Sequence, residues 1–173
     1  MVAPVPTLRP LPEPLHLVLV APQIPPNTGN VARLCAVTGC KLLLVEPLGF
    51  SIGDAQLRRA GLDYWDKVFL RLLPSYDAYL EAFPSARRFL FSSHAPRSLY
   101  EARFAPGDHL VFGAETTGLG PEVLQGGSGE PLAIPMLPER RSLNLSTSVG
   151  IATYEALRQT GAVGAGGQPW PGS

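Results

Sequence analysis

The sequence predicts an α/β protein built on a mostly parallel sheet with helices on both faces. One observation is the recurrence of short, unbroken apolar runs: HLVLVA at 16–21, KLLLV at 41–45, RFLFS at 88–92 and HLVFG at 109–113. Strands buried on both faces read this way, whereas a half-solvated strand alternates apolar and polar residues. A second observation is that helical patterns separate the runs, and strand–helix alternation implies parallel crossovers. The third is composition: 173 residues, 45% hydrophobic and 16% charged, suffice for one packed core and are too apolar for a disordered chain. No internal repeat and no second-domain boundary is visible.

Residues 1–15 carry Pro4, Pro6, Pro10, Pro12 and Pro14. Such a segment cannot pair into a sheet interior and is expected to form a mobile leader or a surface strap, or else a proline-motif ligand. The domain proper is assigned to 16–160. Its first strand, 16–21, ends at Pro22. Asn27 or Thr28 is the expected N-cap of a helix at 30–38 that Gly39 terminates. The second strand is 41–45. A short helix at 54–60 carries the adjacent Arg58 and Arg59. A third strand is expected at 67–72, an amphipathic helix at 76–83, and strands at 88–92 and 109–113 with a polar stretch between them. Pro121 opens another helix at a favoured early position. A final apolar strand at 132–136 leads through the doubly basic loop 137–141 and the polar cluster 142–148 into the longest helical pattern, which runs to Gln159. Residues 161–173, rich in Gly and Pro, are expected to fray.

Formal net charge is zero, so bulk electrostatics gives no support for a nucleic-acid partner. The kind of base is more telling, because Lys occurs only at 41 and 67 and the other twelve basic residues are Arg. Arginine makes bidentate phosphate contacts and stacks on bases. Cys35 and Cys40 fit no common zinc or redox spacing and suggest a reducing compartment. No apolar run approaches a membrane span of about 20 residues, and no signal peptide is recognisable, so a cytoplasmic location is expected. His16, His94 and His109 stand singly, as packing or solvent-facing residues; no metal site is expected.

Three segments richer in polar and glycine residues than a plain turn requires each follow an apolar strand, where α/β proteins place ligands. In the first, Asn27-Thr28-Gly29-Asn30-Val31-Ala32-Arg33, the long Arg33 side chain can reach back toward the strand ends, or else the segment is only a cap and a surface Arg. In the second, Phe112 to Gly120, Gly113 lets a ligand approach the backbone, and Glu115 either fixes that ligand or caps the next turn. The third carries Ile134, Arg140, Arg141, Ser142 and Asn144 at a helix N-terminus, where unpaired N–H groups favour anions. No GxGxxG follows the first strand and no GxxxxGK[ST] occurs, which excludes the usual dinucleotide and P-loop chemistry.

Together and in this order, IPPNTGNVARLCAVTG, LRRAGLDYW, FGAETTGLG and IPMLPERRSLNLSTSVGIATYEALRQ resemble the SpoU branch of the SPOUT RNA methyltransferases. They look most like the small single-domain subfamily that methylates the ribose 2′-hydroxyl of the tRNA wobble nucleotide, position 34, a cytidine or modified uridine. The resemblance covers about residues 15 to 160. It implies a C-terminal trefoil knot, which physical priors alone would never suggest. The implied cofactor is S-adenosyl-L-methionine, held near Phe91, Gly113, Ile134 and Ser142. The implied catalytic positions are Asn27, Arg33, Glu115, Ser142 and Asn144. The implied RNA contacts are Arg58, Arg59, Arg140 and Arg141, toward a tRNA anticodon stem-loop. The resemblance also implies a homodimer, in which Ser146, Ser148, Gly150 and Ala152 would form a small-residue track beside Tyr154. Rival readings are a 2′-O-methyltransferase for another tRNA or rRNA position, and a non-catalytic RNA-binding module on the same fold.

Overall fold

The structure, a computed structural model, describes residues 6–53, 55, 59 and 67–163. The helix expected at 54–60 and the residue Arg58 therefore lie outside the described residues, apart from Ala55 and Arg59. Strands β1 (His16–Val20), β2 (Lys41–Val45), β3 (Leu70–Leu73), β4 (Arg88–Phe91), β5 (His109–Phe112) and β6 (Glu130–Leu132) form one sheet in the order β3-β2-β1-β5-β4-β6. Every neighbouring pair is parallel. The α/β class expected from the apolar runs is the observed one.

Helices cover both faces. Helices α1 (Pro25–Thr38) and α4 (Leu145–Gln159) pack on one, where Val31, Ala32, Cys35, Val149, Ala152 and Leu157 meet Leu17, Leu42, Phe89 and Leu110. Helices α2 (Tyr76–Ala82) and α3 (Pro121–Gln125) cover the other, where Tyr79 and Val123 meet Val18, Leu43, Leu90 and Val111. Residues buried on either face of β1, β2 and β5 explain why these strands read as unbroken apolar runs. At the N-terminal side, Leu8 forms an antiparallel bridge with Val163, and Leu15 is fully buried.

Several boundaries differ from expectation for identifiable reasons. Helix α1 starts at Pro25, one turn before the expected cap, because Pro25 and Pro26 preset helical φ and their missing N–H groups cost nothing at the first positions. Its N-cap is therefore Ile24, which has no capping side chain, and Asn27 and Thr28 are buried inside the first turns. Gly39 does close the helix, at φ 77°. Strand β3 begins at Leu70, not 67. Strand β6 ends at Leu132: the Ala133 N–H turns aside to the Arg97 carbonyl (2.8 Å), and Pro135 has no N–H to continue a ladder.

His16 and His109 do not stand singly. Register pairs His16 with Lys41 on one side and His109 on the other, and pairs His109 with Arg88. Because parallel partners share a face, these four residues make one row across the N-terminal ends of the strands. The His16 and His109 rings stack 4.2 Å apart, and the Tyr79 hydroxyl and His109 Nδ1 share a hydrogen bond at 2.8 Å. Arg88, buried beside them, donates to the carbonyls of Ala86, Ser128 and Phe83 and lies over the Tyr79 ring. Burial, reinforced by Lys41, lowers His16 from 6.5 to about 4. Burial, reinforced by His16 and Arg88, lowers His109 from 6.5 to about 3.

Both imidazoles thus stay neutral in the folded protein while they protonate near pH 6.5 in the unfolded chain. Below that pH the unfolded state binds more protons, so stability falls as pH falls from about 6.5 toward 4. Urea unfolding at pH 7 and pH 5 is expected to show this loss, with a slope approaching about 1.4 kcal/mol per pH unit for each buried imidazole. His16→Phe should flatten the slope; an unchanged slope would separate the acid sensitivity from this row.

Candidate active site

A cavity of about 410 Å³ opens at the C-terminal ends of β4 and β5. Its floor is the cross-strand pair Phe91 and Phe112, stacked at 4.6 Å with ring planes 10° apart. Residues 92–94 after β4 and 113–119 after β5 form two walls, and Ile134, Met136, Arg141, Ser142, Leu143, Leu145 and Ser148 close the third. The wall brings together Phe91, Gly113, Ile134 and Ser142, the four positions expected to hold a cofactor. Of the positions expected to be catalytic, Glu115 and Ser142 line it.

Gly113 has a reason within its own loop. A Cβ there would sit 2.0 Å from the Gly118 carbonyl carbon and 2.1 Å from the Leu119 nitrogen. The glycine is needed because the loop folds back on its own strand end, sealed by the Gly118 N–H donating to the Ala114 carbonyl at 2.8 Å. That folded loop is what fixes Glu115.

The Glu115 carboxylate accepts from the Gln23 N–H (2.7 Å), the Ile24 N–H (3.0 Å) and Asn27 Nδ2 (3.1 Å). It supplies from another loop the acceptor that the start of α1 lacks. Asn27 in turn accepts from Asn144 Nδ2 at 3.0 Å. The Asn144 Oδ1 accepts from Ser146 Oγ (2.7 Å) and the Thr147 N–H (3.2 Å), which makes Asn144 the N-cap of α4. Thr116 Oγ1 donates to Gln23 Oε1 at 2.7 Å. One hydrogen-bonded chain thereby joins the loops after β1, β5 and β6.

Arg33 is exposed on α1 and is not among the cavity-lining residues. Arg59 and Arg140 are exposed, and Arg141, also exposed, stands at the cavity wall. The small-residue track divides: Ala152 is fully buried in its own core, while Ser146, Gly150 and Tyr154 lie at helical spacing on the more open side, with Tyr154 46% exposed. Sequence reasoning missed Ser92, Ser93 and His94 and the Gln23–Thr116 pair. The first three could have been found, since they follow an apolar strand as the other site segments do. Among the described residues no group of three His, Cys, Asp or Glu side chains is arranged to hold a metal ion.

The fold and the cavity define an α/β protein with a ligand site at the C-terminal edge of a parallel sheet. The family model described as the SpoU rRNA Methylase family matches residues 14–154, and the chain belongs to this family. A relative from Polaromonas sp., named tRNA (cytidine(34)-2′-O)-methyltransferase, is 51% identical over 86% of this chain and 93% of its own. A relative of the same name from Escherichia coli K12 is 44% identical, covering 87% of this chain and 97% of its own. A solved structure described as "Structural insights into the 2-OH methylation of C/U34 on tRNA" superposes with a TM-score of 0.82 at 54% identity, over 86% of this chain and 97% of the other.

If the chain of bonds is what sets the three loops, its members are coupled. Asn27→Ala and Asn144→Ala are each expected to cost about 1–3 kcal/mol. The double variant should cost less than the sum by at least about 0.5 kcal/mol in urea unfolding. Additive losses would mean that the two amides act independently. Gly113→Ala should lose about 1–3 kcal/mol, because the added carbon overlaps backbone and not a movable side chain.

Proposed function

We propose that this protein transfers a methyl group from S-adenosyl-L-methionine to the ribose 2′-hydroxyl of the wobble nucleotide, position 34, of tRNA. The observation that carries this is the cavity at the strand ends, in a chain about half identical over most of its length to a relative named for that reaction. A volume of about 410 Å³ falls in the range of roughly 300–1,000 Å³ usual for small-molecule sites. Its residues suit the cofactor. The Phe91–Phe112 floor with Ile134, Met136 and Leu145 offers apolar surface for a purine and a thioether chain, and Ser92, Ser142 and exposed backbone at the folded loop offer polar contacts. The cofactor supplies an electrophilic sulfonium methyl for in-line displacement.

The protein's share is positioning and charge stabilisation. A guanidinium carries N–H donors and no acceptor, so Arg33 serves poorly as a general base. It orients the ribose hydroxyl and stabilises the negative charge developing on that oxygen, while a substrate phosphate or water takes the proton. Glu115, Asn27 and Asn144 fix the start of α1, the helix that carries Arg33. Arg58, Arg59, Arg140 and Arg141 contact the phosphates of the anticodon stem-loop, so binding weakens with salt. The same reading includes a homodimer that packs through the open side of α4, a trefoil knot in the segment from β6 into α4, and a cytoplasmic location. No helix among the described residues is long and apolar enough to cross a membrane.

The test is incubation with labelled S-adenosylmethionine and bulk tRNA, followed by nucleoside mapping. Label is expected in a 2′-O-methylated nucleotide at position 34; label on a base, at another ribose, or in ribosomal RNA instead would overturn the proposal. Arg33→Ala should lower the rate by about 100-fold or more, with Arg33→Lys intermediate. Wild-type rates in both variants would remove Arg33 from the chemistry.

A further inference from the structure

At the opposite end of the sheet from the cavity lies a second basic surface that the proposed chemistry does not use. It is built at the β3 edge. Lys41 begins β2, and its Nζ lies 4.9 Å from the centroid of the Phe69 ring, which is 53% exposed. Arg71, exposed on β3, lies with its guanidinium carbon 5.4 Å from the Phe83 ring. Residues 69 and 71 share a face, and register puts that face on the same side of the sheet as Lys41, His16, His109 and Arg88. Among the described residues no carboxylate forms an ion pair with Lys41 or Arg71; the ion pairs are Arg87–Asp108, Arg97–Glu130 and Arg158–Glu155.

Surface cations are ordinarily interspersed with acids. Here two cations rest on aromatic rings, at the end of a row that contains only basic and aromatic side chains. Cations stacked on aromatic faces beside an exposed ring suit a polyanion that also presents flat, stackable groups. The row is unsuited to an acidic protein helix, which offers no such planar groups. We propose that Lys41, Phe69 and Arg71 form a second RNA contact surface, which engages the substrate's stem while the wobble nucleotide occupies the cavity; this rests on the proposed tRNA activity. A five-residue strand such as β1 spans about 17 Å, a length on the order of five stacked nucleotides, so one stem-loop can reach both ends of the sheet.

The experiment measures binding of a 17-nucleotide-scale anticodon stem-loop, of the isolated loop oligonucleotide, and of an unrelated duplex RNA by fluorescence anisotropy across a salt series. The double variant Lys41→Gln/Arg71→Gln is compared with wild type and with the charge-conserving Lys41→Arg/Arg71→Lys. Neutralisation is expected to weaken stem-loop binding by roughly ten-fold and to lower the salt slope by about 2. The isolated loop should bind as to wild type, and the charge-conserving variant should retain stem-loop binding. Identical stem-loop affinity and slope in all three proteins would overturn the proposal, as would an equal loss of affinity for the isolated loop. The two readings fail separately. If nucleoside mapping finds no methyl at position 34 but stem-loop or duplex binding follows the charge at 41 and 71, the wobble reading falls and this surface stands. Methylation with no dependence of binding on these residues does the reverse.

Discussion

Helix α1 opens with two prolines behind an apolar cap residue, so its first turn has no side chain of its own to receive the backbone N–H groups at its start. The Glu115 carboxylate fills that role from the loop after β5 by accepting from Gln23, Ile24 and Asn27. A charged acceptor with several N–H donors is among the stronger polar arrangements, and its donors come from a segment distant in sequence. The segment it grips is also constrained from behind. Ala21 adopts φ 51°, and Gly49 packs so closely on Gln23 that a Cβ would lie 2.7 Å from its backbone. Without Glu115 the entry into α1 would keep that crowded turn and the Thr116–Gln23 and Asn144–Asn27 bonds, and would lose the acceptor of its first N–H groups.

The two ends of the sheet divide the work. At the C-terminal ends of the strands the chain places loops whose polar groups satisfy one another and leave a cavity. At the N-terminal ends it buries imidazoles and an arginine under α2, where Arg88 finds only carbonyls and an aromatic ring. Such a row is tolerable because the histidines remain neutral and Tyr79 supplies a hydrogen bond. Among the described residues Lys41 and Arg71 form no ion pair.

Much of this architecture was legible in the sequence, and the exceptions share a cause. The boundaries of β2 and α3 and the Gly39 stop follow from local rules: apolar runs, Pro at the start of a helix, Gly at its end. The start of α1 was misplaced because Asn27 looks like a cap, and only the tertiary contact with Glu115 explains why it is buried instead. Asn144 was read as a site residue without its local duty, the capping of α4. The histidine row could not be read at all, since register between strands far apart in sequence is not a local property. The polar segments were identifiable because they exceed what a turn requires, but the order in which they bond to one another appears only once the sheet brings them together.

The cavity exists because β6 stops early. Its partner β4 continues to Phe91, and Ser92 still donates to the Leu132 carbonyl at 3.0 Å. One residue later the ladder is diverted: Ala133 bonds the Arg97 carbonyl, and Leu99 bonds the Ala133 carbonyl at 2.8 Å. Arg97 is anchored for this by the Glu101 carbonyl and by an ion pair with Glu130, the first residue of β6. The diversion takes Ile134 and Met136 to the cavity wall, and the Phe91–Phe112 pair at the ends of β4 and β5 serves both as buried core and as cavity floor. Had the strand run on to Met136, as its apolar sequence suggests, it would have stayed paired alongside β4 and its side chains could not have formed the third wall. The proline at 135 and the Arg97 turn therefore matter to the site although Arg97 does not line the cavity. They turn an apolar sequence that would otherwise extend the sheet into one side of a binding cleft.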